Sequence, residues 1–224
     1  MRSDAPIYVI TGERGSGKTT VCARVARGAH ERGLRVAGIL TERGDDADPG
    51  SARRVVDLRS GEARPFGAQD RGCACDPGRE AGAAASSDGG AASVDTASVD
   101  TAAVDAASAD AAGYDPLTPG WEFDSGVFAW ANDVLTRSLP CDLLVVDEVG
   151  PLELLGDRGW AGALAVLESG EYRAAMVVCR PGLLNALRER LPGSAYAVVE
   201  VTPKNRDALP AALVEELLRS VGGA

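Results

Sequence analysis

A chain of 224 residues, 45% hydrophobic and 25% charged, is long enough for one good core and too short for two large domains. Its net charge of −10 excludes a sequence-independent nucleic-acid binder, whose affinity would come from basic groups meeting phosphates. It holds no apolar run of roughly 18 residues, and Met1 to Thr11 lacks the basic start and cleavage site of a secretory signal, so a cytoplasmic protein without a membrane span is expected.

The first predicted element is a short apolar strand, Ile7 to Ile10, running into a glycine-rich turn and then a helix from Lys18 to Arg32. Gly12, Gly17, Lys18 and Thr19 fill the G-x-x-x-x-G-K-[ST] pattern of a phosphate-binding loop, with the strand and helix that the pattern requires on either side. Glycines let successive backbone N–H groups converge on a phosphate, and the helix N-terminus adds its positive dipole end. On this reading Glu13, Arg14, Gly15, Ser16 and Thr20 complete the cradle. Lys18 reaches the β- and γ-phosphates, and the Thr19 hydroxyl sits on a magnesium ion. Of 23 basic residues only two are lysine, yet one of them holds the lysine position of the motif.

In the helix, Val21, Val25 and Ala29 recur at helical spacing beside Cys22 and Ala26, a stripe that can pack on a sheet, and Gly33 ends it. Arg35 to Thr41 reads as a second strand; Arg53 to Leu58 and Glu62 to Phe66 flank Ser60-Gly61 as a hairpin. Residues 68 to 115 break the pattern. They carry nine acidic and two basic residues, and a fivefold period runs through Ala-Ser-Val-Asp-Thr at 92–96 and again at 97–101. So poor a stretch in large apolar groups cannot offset its ordering entropy, and a disordered insertion is expected; a small pentapeptide solenoid is the alternative. One domain is therefore expected from 1–67 and 116–224, carrying 68–115 as an insertion.

Cys22, Cys141 and Cys179 read as small core hydrophobes, whereas Cys73 and Cys75 leave a metal pair open. Asp124 to Ser138 has Val127, Phe128, Trp130, Ala131, Val134 and Leu135 at helical spacing. The run Leu143, Leu144, Val145, Val146 ends in Asp147 and Glu148, then Val149 and Gly150, which describes a buried parallel strand with carboxylates at its tip. That is a Walker B strand: Asp147 would share the magnesium ion with Thr19, and Glu148 is placed to polarise an attacking water. The single histidine, His30, lies late in the first helix, so a general base near neutral pH must be a carboxylate or nothing. Beyond this, Trp160 to Glu168 reads as helix and Ala174 to Cys179 as strand. Arg180 stands at that strand's tip, as a γ-phosphate contact or an exposed loop arginine. Leu183 to Leu191, Ala195 to Val201 and Leu209 to Val221 read as helix, strand and helix, giving an α/β fold with a mostly parallel sheet.

Four stretches together resemble a known family: Gly12 to Thr20, Gly38-Ile-Leu-Thr-Glu-Arg43, Val146-Asp-Glu-Val-Gly-Pro-Leu-Glu-Leu154 and Val201-Thr-Pro-Lys-Asn-Arg-Asp207. They are similar to the small P-loop nucleoside-triphosphatases described from hyperthermophiles, which have a human cancer-related member. The resemblance implies a RecA-like sheet and slow, magnesium-dependent hydrolysis of ATP, GTP and other nucleoside triphosphates. It implies nucleotide contacts from the phosphate loop and from Leu143 to Gly150, and a base or ribose contact from Asn205 and Arg206. Where relatives often carry Val-His-Arg, this chain has Val178-Cys179-Arg180. A nucleoside or nucleotide kinase and a nucleotide-dependent switch protein are the alternative readings; a monomer or weak oligomer is expected.

Overall fold

The computed structural model describes residues 5–42, 53–69, 121–123 and 125–222. Among these residues eight strands form one sheet. In chain order they are β1 (Ile7–Thr11), β2 (Val36–Glu42), β3 (Arg53–Asp57), β4 (Ala63–Gln69), β5 (Trp121–Phe123), β6 (Cys141–Val149), β7 (Tyr172–Cys179) and β8 (Tyr196–Glu200). The helices are α1 (Lys18–Glu31), α2 (Ser125–Arg137), α3 (Pro151–Gly156), α4 (Gly162–Ser169), α5 (Leu184–Arg190) and α6 (Leu209–Gly222). The spatial order is β5-β4-β3-β2-β6-β7-β1-β8.

The five strands β8, β1, β7, β6 and β2 are mutually parallel, and β3, β4 and β5 extend the sheet antiparallel beyond β2. Strand β7 lies between the phosphate-loop strand β1 and the acidic strand β6. This is the RecA-like arrangement, with an antiparallel flank that makes the sheet mixed. The hairpin over 53–66 is present, and β4 runs on to Gln69, where β5 pairs with it through Gln69 and Trp121. The repeats at 92–111 and the Cys73–Cys75 pair lie outside the described residues.

Alternation along the strands fills two cores. Ile7, Val9, Ile39, Leu144, Val146, Ala175 and Val177 face one side, where Val127, Trp130, Val134 and Leu135 of α2 and Leu164 and Leu167 of α4 cover them. Tyr8, Ile10, Leu40, Leu143, Val145, Met176 and Val178 face the other, under Val21, Cys22, Val25 and Ala29 of α1 and Leu213, Val214 and Leu217 of α6. Each fully buried Val or Leu contributes about 1.5–3 kcal/mol by area, so the α1 stripe alone anchors the helix that carries the phosphate loop. Cys22, Cys141 and Cys179 are buried in these cores, as the sequence suggests.

Close approach of β2 to β6 depends on Gly38. Its φ is +114°, and a Cβ there would stand 2.0 Å from the Val145 carbonyl oxygen. Gly33, at φ +84°, closes α1 by donating its N–H to the His30 carbonyl. No helix among the described residues is long and apolar enough to cross a membrane.

Candidate active site

Parallel strands bring their C-terminal tips to one edge, so the ends of β1, β2, β6, β7 and β8 meet there. The loop after β1 has the backbone its glycines permit, with φ of +138° at Gly12, +80° at Gly15 and +103° at Gly17. Gly12 is fixed by its neighbour as well as by its turn: a Cβ would lie 2.3 Å from the Val201 carbonyl oxygen just after β8. Lys18 folds back over the loop, its Nζ donating to the Gly12 carbonyl at 2.7 Å and the Glu13 carbonyl at 2.8 Å. Ser16 Oγ is buried and has no hydrogen-bond partner among the described residues. Glu13, Arg14 and Gly15 are exposed at the loop's crest, and Thr20 faces outward one residue past Thr19.

Asp147 and Glu148 are separated by the strand that carries them. Leu143, Val145 and Asp147 share the α1 face by the period of two, so the Asp147 carboxylate lies under the first turn of α1. It accepts a hydrogen bond from the Thr19 side chain and one from the Thr41 N–H at 3.2 Å. Thr41 also donates its hydroxyl to the Asp147 carbonyl at 2.7 Å. Burial raises the Asp147 carboxyl to about 6, against the lowering effect of its Thr19 and Thr41 hydrogen bonds.

The β6–β7 ladder slips here: Val146 pairs with Val177 and Val149 with Cys179, so three steps on β6 match two on β7. That extra residue turns Glu148 away from the core toward the tip of β7. There Arg180 Nε meets Glu148 Oε1 at 2.5 Å. Arg180 is thus an ion-pair partner of the expected water-activating carboxylate.

Several expected contacts fall elsewhere. Leu143, Leu144, Val145, Val146 and Val149 are fully buried between the two helical layers, so of that segment only Asp147, Glu148 and Gly150 line the open edge. Asn205 spends both ends of its amide on its own turn, accepting from the Thr202 N–H at 2.8 Å and donating to the Glu200 carbonyl at 2.9 Å. Arg206 lies over the phosphate loop, its Cδ 3.2 Å from where a Cβ on Gly17 would stand.

Glu153 is the residue whose role the sequence reading leaves unassigned. Only 3% exposed, it accepts from the Gly150 N–H at 2.8 Å and the Trp160 N–H at 2.9 Å, closing the turn after β6 and tying down the loop beyond α3. Burial raises its carboxyl, while these N–H groups pull it down. Its place three residues into the helix opened by Gly150-Pro151 is the available sequence signal.

A cavity of about 100 Å³ opens beside this edge. Its lining includes Thr19, Arg53, Asp147, Glu148 and Arg180 together with the rings of Phe66, Phe128 and Trp160. Thr19 and Asp147 offer a hydroxyl and one carboxylate, the few hard oxygen donors that suit a magnesium ion keeping most of its water and phosphate ligands. Among the described residues no group of three or more metal-binding side chains gathers.

The family model described as NTPase matches residues 7–109 and 127–214. Over 90 residues the chain is 31% identical to the nucleoside-triphosphatase THEP1 of Methanosarcina acetivorans, which covers 40% of this chain and 50% of that protein. Over 78 residues it is 33% identical to the THEP1 of Methanosarcina barkeri, covering 35% of this chain and 43% of that one. The chain thus spans about half the length of the curated relatives it matches. The solution structure of a human cancer-related nucleoside triphosphatase superposes with a TM-score of 0.60 at 20% identity, over 98% of this chain and 99% of that one. The crystal structure of THEP1 from the hyperthermophile Aquifex aeolicus does so with a TM-score of 0.57 at 18% identity, over 95% and 98%. These two establish the fold, and the family model, over most of the chain, establishes kinship: the chain belongs to the small P-loop NTPase family.

Proposed function

We propose that the chain is a magnesium-dependent nucleoside-triphosphatase that releases phosphate from ATP, GTP and related triphosphates. The observation that carries this reading is the meeting of the Lys18 loop, the Thr19–Asp147 pair and Glu148 at one edge of the parallel sheet. Backbone N–H groups of Gly12 to Thr19 would hold the phosphate chain, with the buried Ser16 hydroxyl supplying a further donor. Lys18 would exchange its loop carbonyls for β- and γ-phosphate oxygens, which compete well for an ammonium.

Thr19 and Asp147 would hold magnesium, which when bound neutralises charge on the phosphates. Glu148 would orient a water and take its proton as the water oxygen bonds to the γ-phosphorus. The bond to the β–γ bridging oxygen breaks, and the diphosphate leaves. Arg180, already on Glu148, would contact a γ-phosphate oxygen by exchanging one anionic partner for another.

The test is phosphate release with ATP, GTP, CTP and UTP in magnesium buffer. Lys18→Ala should lower turnover by roughly 100-fold or more, the scale seen when one charge-stabilising donor is removed. Glu148→Gln should lower it by about 100- to 10,000-fold while leaving nucleotide binding in place. A wild-type chain that binds triphosphate but releases no phosphate would instead be a nucleotide-dependent switch.

A further inference from the structure

Strand β6 loses its backbone partners where its chemistry begins. Its paired positions with β2 run from Leu143 to Val146 and end there, opposite Ile39. With β7 the pairing also breaks after Val146, and it resumes only at Val149. Asp147 and Glu148 therefore fall in a gap that neither neighbouring strand matches, although Asp147 is only 1% exposed. Individual groups hold this stretch where no ladder does: Thr19 and Thr41 act on Asp147, and Arg180 acts on Glu148.

Thr41 makes two of these bonds, and they go to different parts of Asp147. Its N–H donates to the carboxylate at 3.2 Å, whereas its hydroxyl donates to the carbonyl at 2.7 Å. The strand explains how one residue reaches both. By the period of two, Thr41 follows Ala37 and Ile39 onto the face that α2 covers, where it lines the same cavity as Glu148. Its N–H lies in the plane of the sheet and points at β6.

The carbonyl held by Thr41 belongs to the peptide unit that leads into Glu148. A carboxylate that aligns a water is sensitive to its own placement, because a shift of about 1 Å can cost about 100-fold in rate. Arg180 does not supply that placement during reaction, since it is the group assigned to move from Glu148 to the γ-phosphate. Thr41 has no such second task.

Resting on the nucleoside-triphosphatase reading above, we infer that Thr41 is a positioning residue for Glu148, its hydroxyl fixing the peptide unit that aims the Glu148 carboxylate at the attacking water. The two bonds divide the work. The N–H holds the Asp147 carboxylate for the ion, and the hydroxyl holds the turn for the base. Removing the hydroxyl alone separates the two.

The test compares wild type, Thr41→Val and Thr41→Ser, each first shown to be folded at the assay temperature by circular dichroism. Valine keeps the branched shape and the N–H without the hydroxyl; serine keeps the hydroxyl. With magnesium and ATP, Thr41→Val should lower kcat by about 10- to 100-fold, the scale for losing a group that orients a site residue. Its KM for ATP should stay within about twofold of wild type, as should its affinity for ADP and, by electron paramagnetic resonance with ADP present, for manganese. Thr41→Ser should restore most of the lost kcat.

A second readout needs no turnover. Magnesium, ADP and aluminium fluoride together imitate the transferring phosphoryl group with its water in line, so the gain in ADP affinity on adding aluminium fluoride reports whether Glu148 is aimed. Calorimetry should show that gain shrinking in Thr41→Val by about the factor lost from kcat, and returning in Thr41→Ser.

No gain in wild type, an equal gain in Thr41→Val, ADP or manganese affinity falling as far as kcat, or no recovery in Thr41→Ser would overturn the inference. Wild-type phosphate release reports separately on the hydrolase reading: its absence beside a gain that depends on the hydroxyl would remove the hydrolase and leave the positioning role standing.

Discussion

Glu153 shows what one buried carboxylate does when it is a fastener and not a reagent. Both oxygens are committed to backbone N–H groups at 2.8 and 2.9 Å, one on each side of α3. Glu153→Gln keeps the shape but turns an NH₂ toward one of those donors, leaving a buried N–H without an acceptor. The expected cost is about 1–3 kcal/mol, read as a lower urea midpoint with an unchanged slope. Turnover should fall as well, because Gly150 and Trp160 set the turn that aims Glu148.

At this scale the sequence is informative where chemistry demands a residue type at a fixed spacing. Lys18, Thr19, Asp147 and Glu148 lie at the predicted edge for that reason. It is silent on Thr41, whose two bonds to Asp147 come from a strand 106 residues away in sequence. It also overextends the nucleotide segment to Leu143–Val146, since apolar mid-strand residues face helices and not the tip.

At the scale of elements, strand β6 is secured at its start as carefully as it is displayed at its end. Asp142 accepts from the Arg35 N–H at 2.8 Å and from its guanidinium at 3.2 and 3.3 Å, with Arg173 4.0 Å away. The Arg35 hydrogen bond chiefly holds the Asp142 carboxyl below the usual carboxylate range, against the opposing effect of burial. A folded pKa below the unfolded value, about 3.9, means that the unfolded chain binds more protons across that window. The pairing therefore stabilises above about pH 4 and is lost as pH falls through the folded value. Asp142→Asn should lower the urea midpoint at pH 7, with the gap from wild type shrinking below about pH 4; a gap that persists at pH 3 would point to packing instead.

The elements themselves are largely legible, because helical and strand periods are strong in α1, β6, β7 and α6. Short or partner-dependent pieces are not: α3 has only six residues, and β5 exists by pairing with β4 across a long sequence gap.

The whole molecule is two cores on one sheet, and the nucleotide edge belongs to both. Helix α1, which carries the loop and Thr19, packs on one face; the cavity wall from α2 and the α3–α4 loop packs on the other. The α/β class and the order of strands and helices follow from alternating patterns in the sequence. Which strands are neighbours does not, since the insertion of β7 between β1 and β6 depends on crossovers that no local pattern records.

Because one edge draws on so much of the fold, a ligand there must stabilise the molecule as a unit. Anything that binds only the folded chain adds about 2.7 kcal/mol at a hundredfold excess over its Kd. For a chain of this size each kcal/mol moves the melting temperature by roughly 2–4 °C, so magnesium and ADP at that excess should raise it by roughly 5–10 °C. Glu148→Gln should keep the whole shift, because that carboxylate is assigned to the water and not to the nucleotide. Lys18→Ala should lose most of it, because its ammonium, now resting on the Gly12 and Glu13 carbonyls, is the group assigned to the phosphates. Equal shifts in wild type and Lys18→Ala, followed by differential scanning fluorimetry across an ADP titration, would place the nucleotide away from this loop and remove the basis of the mechanism.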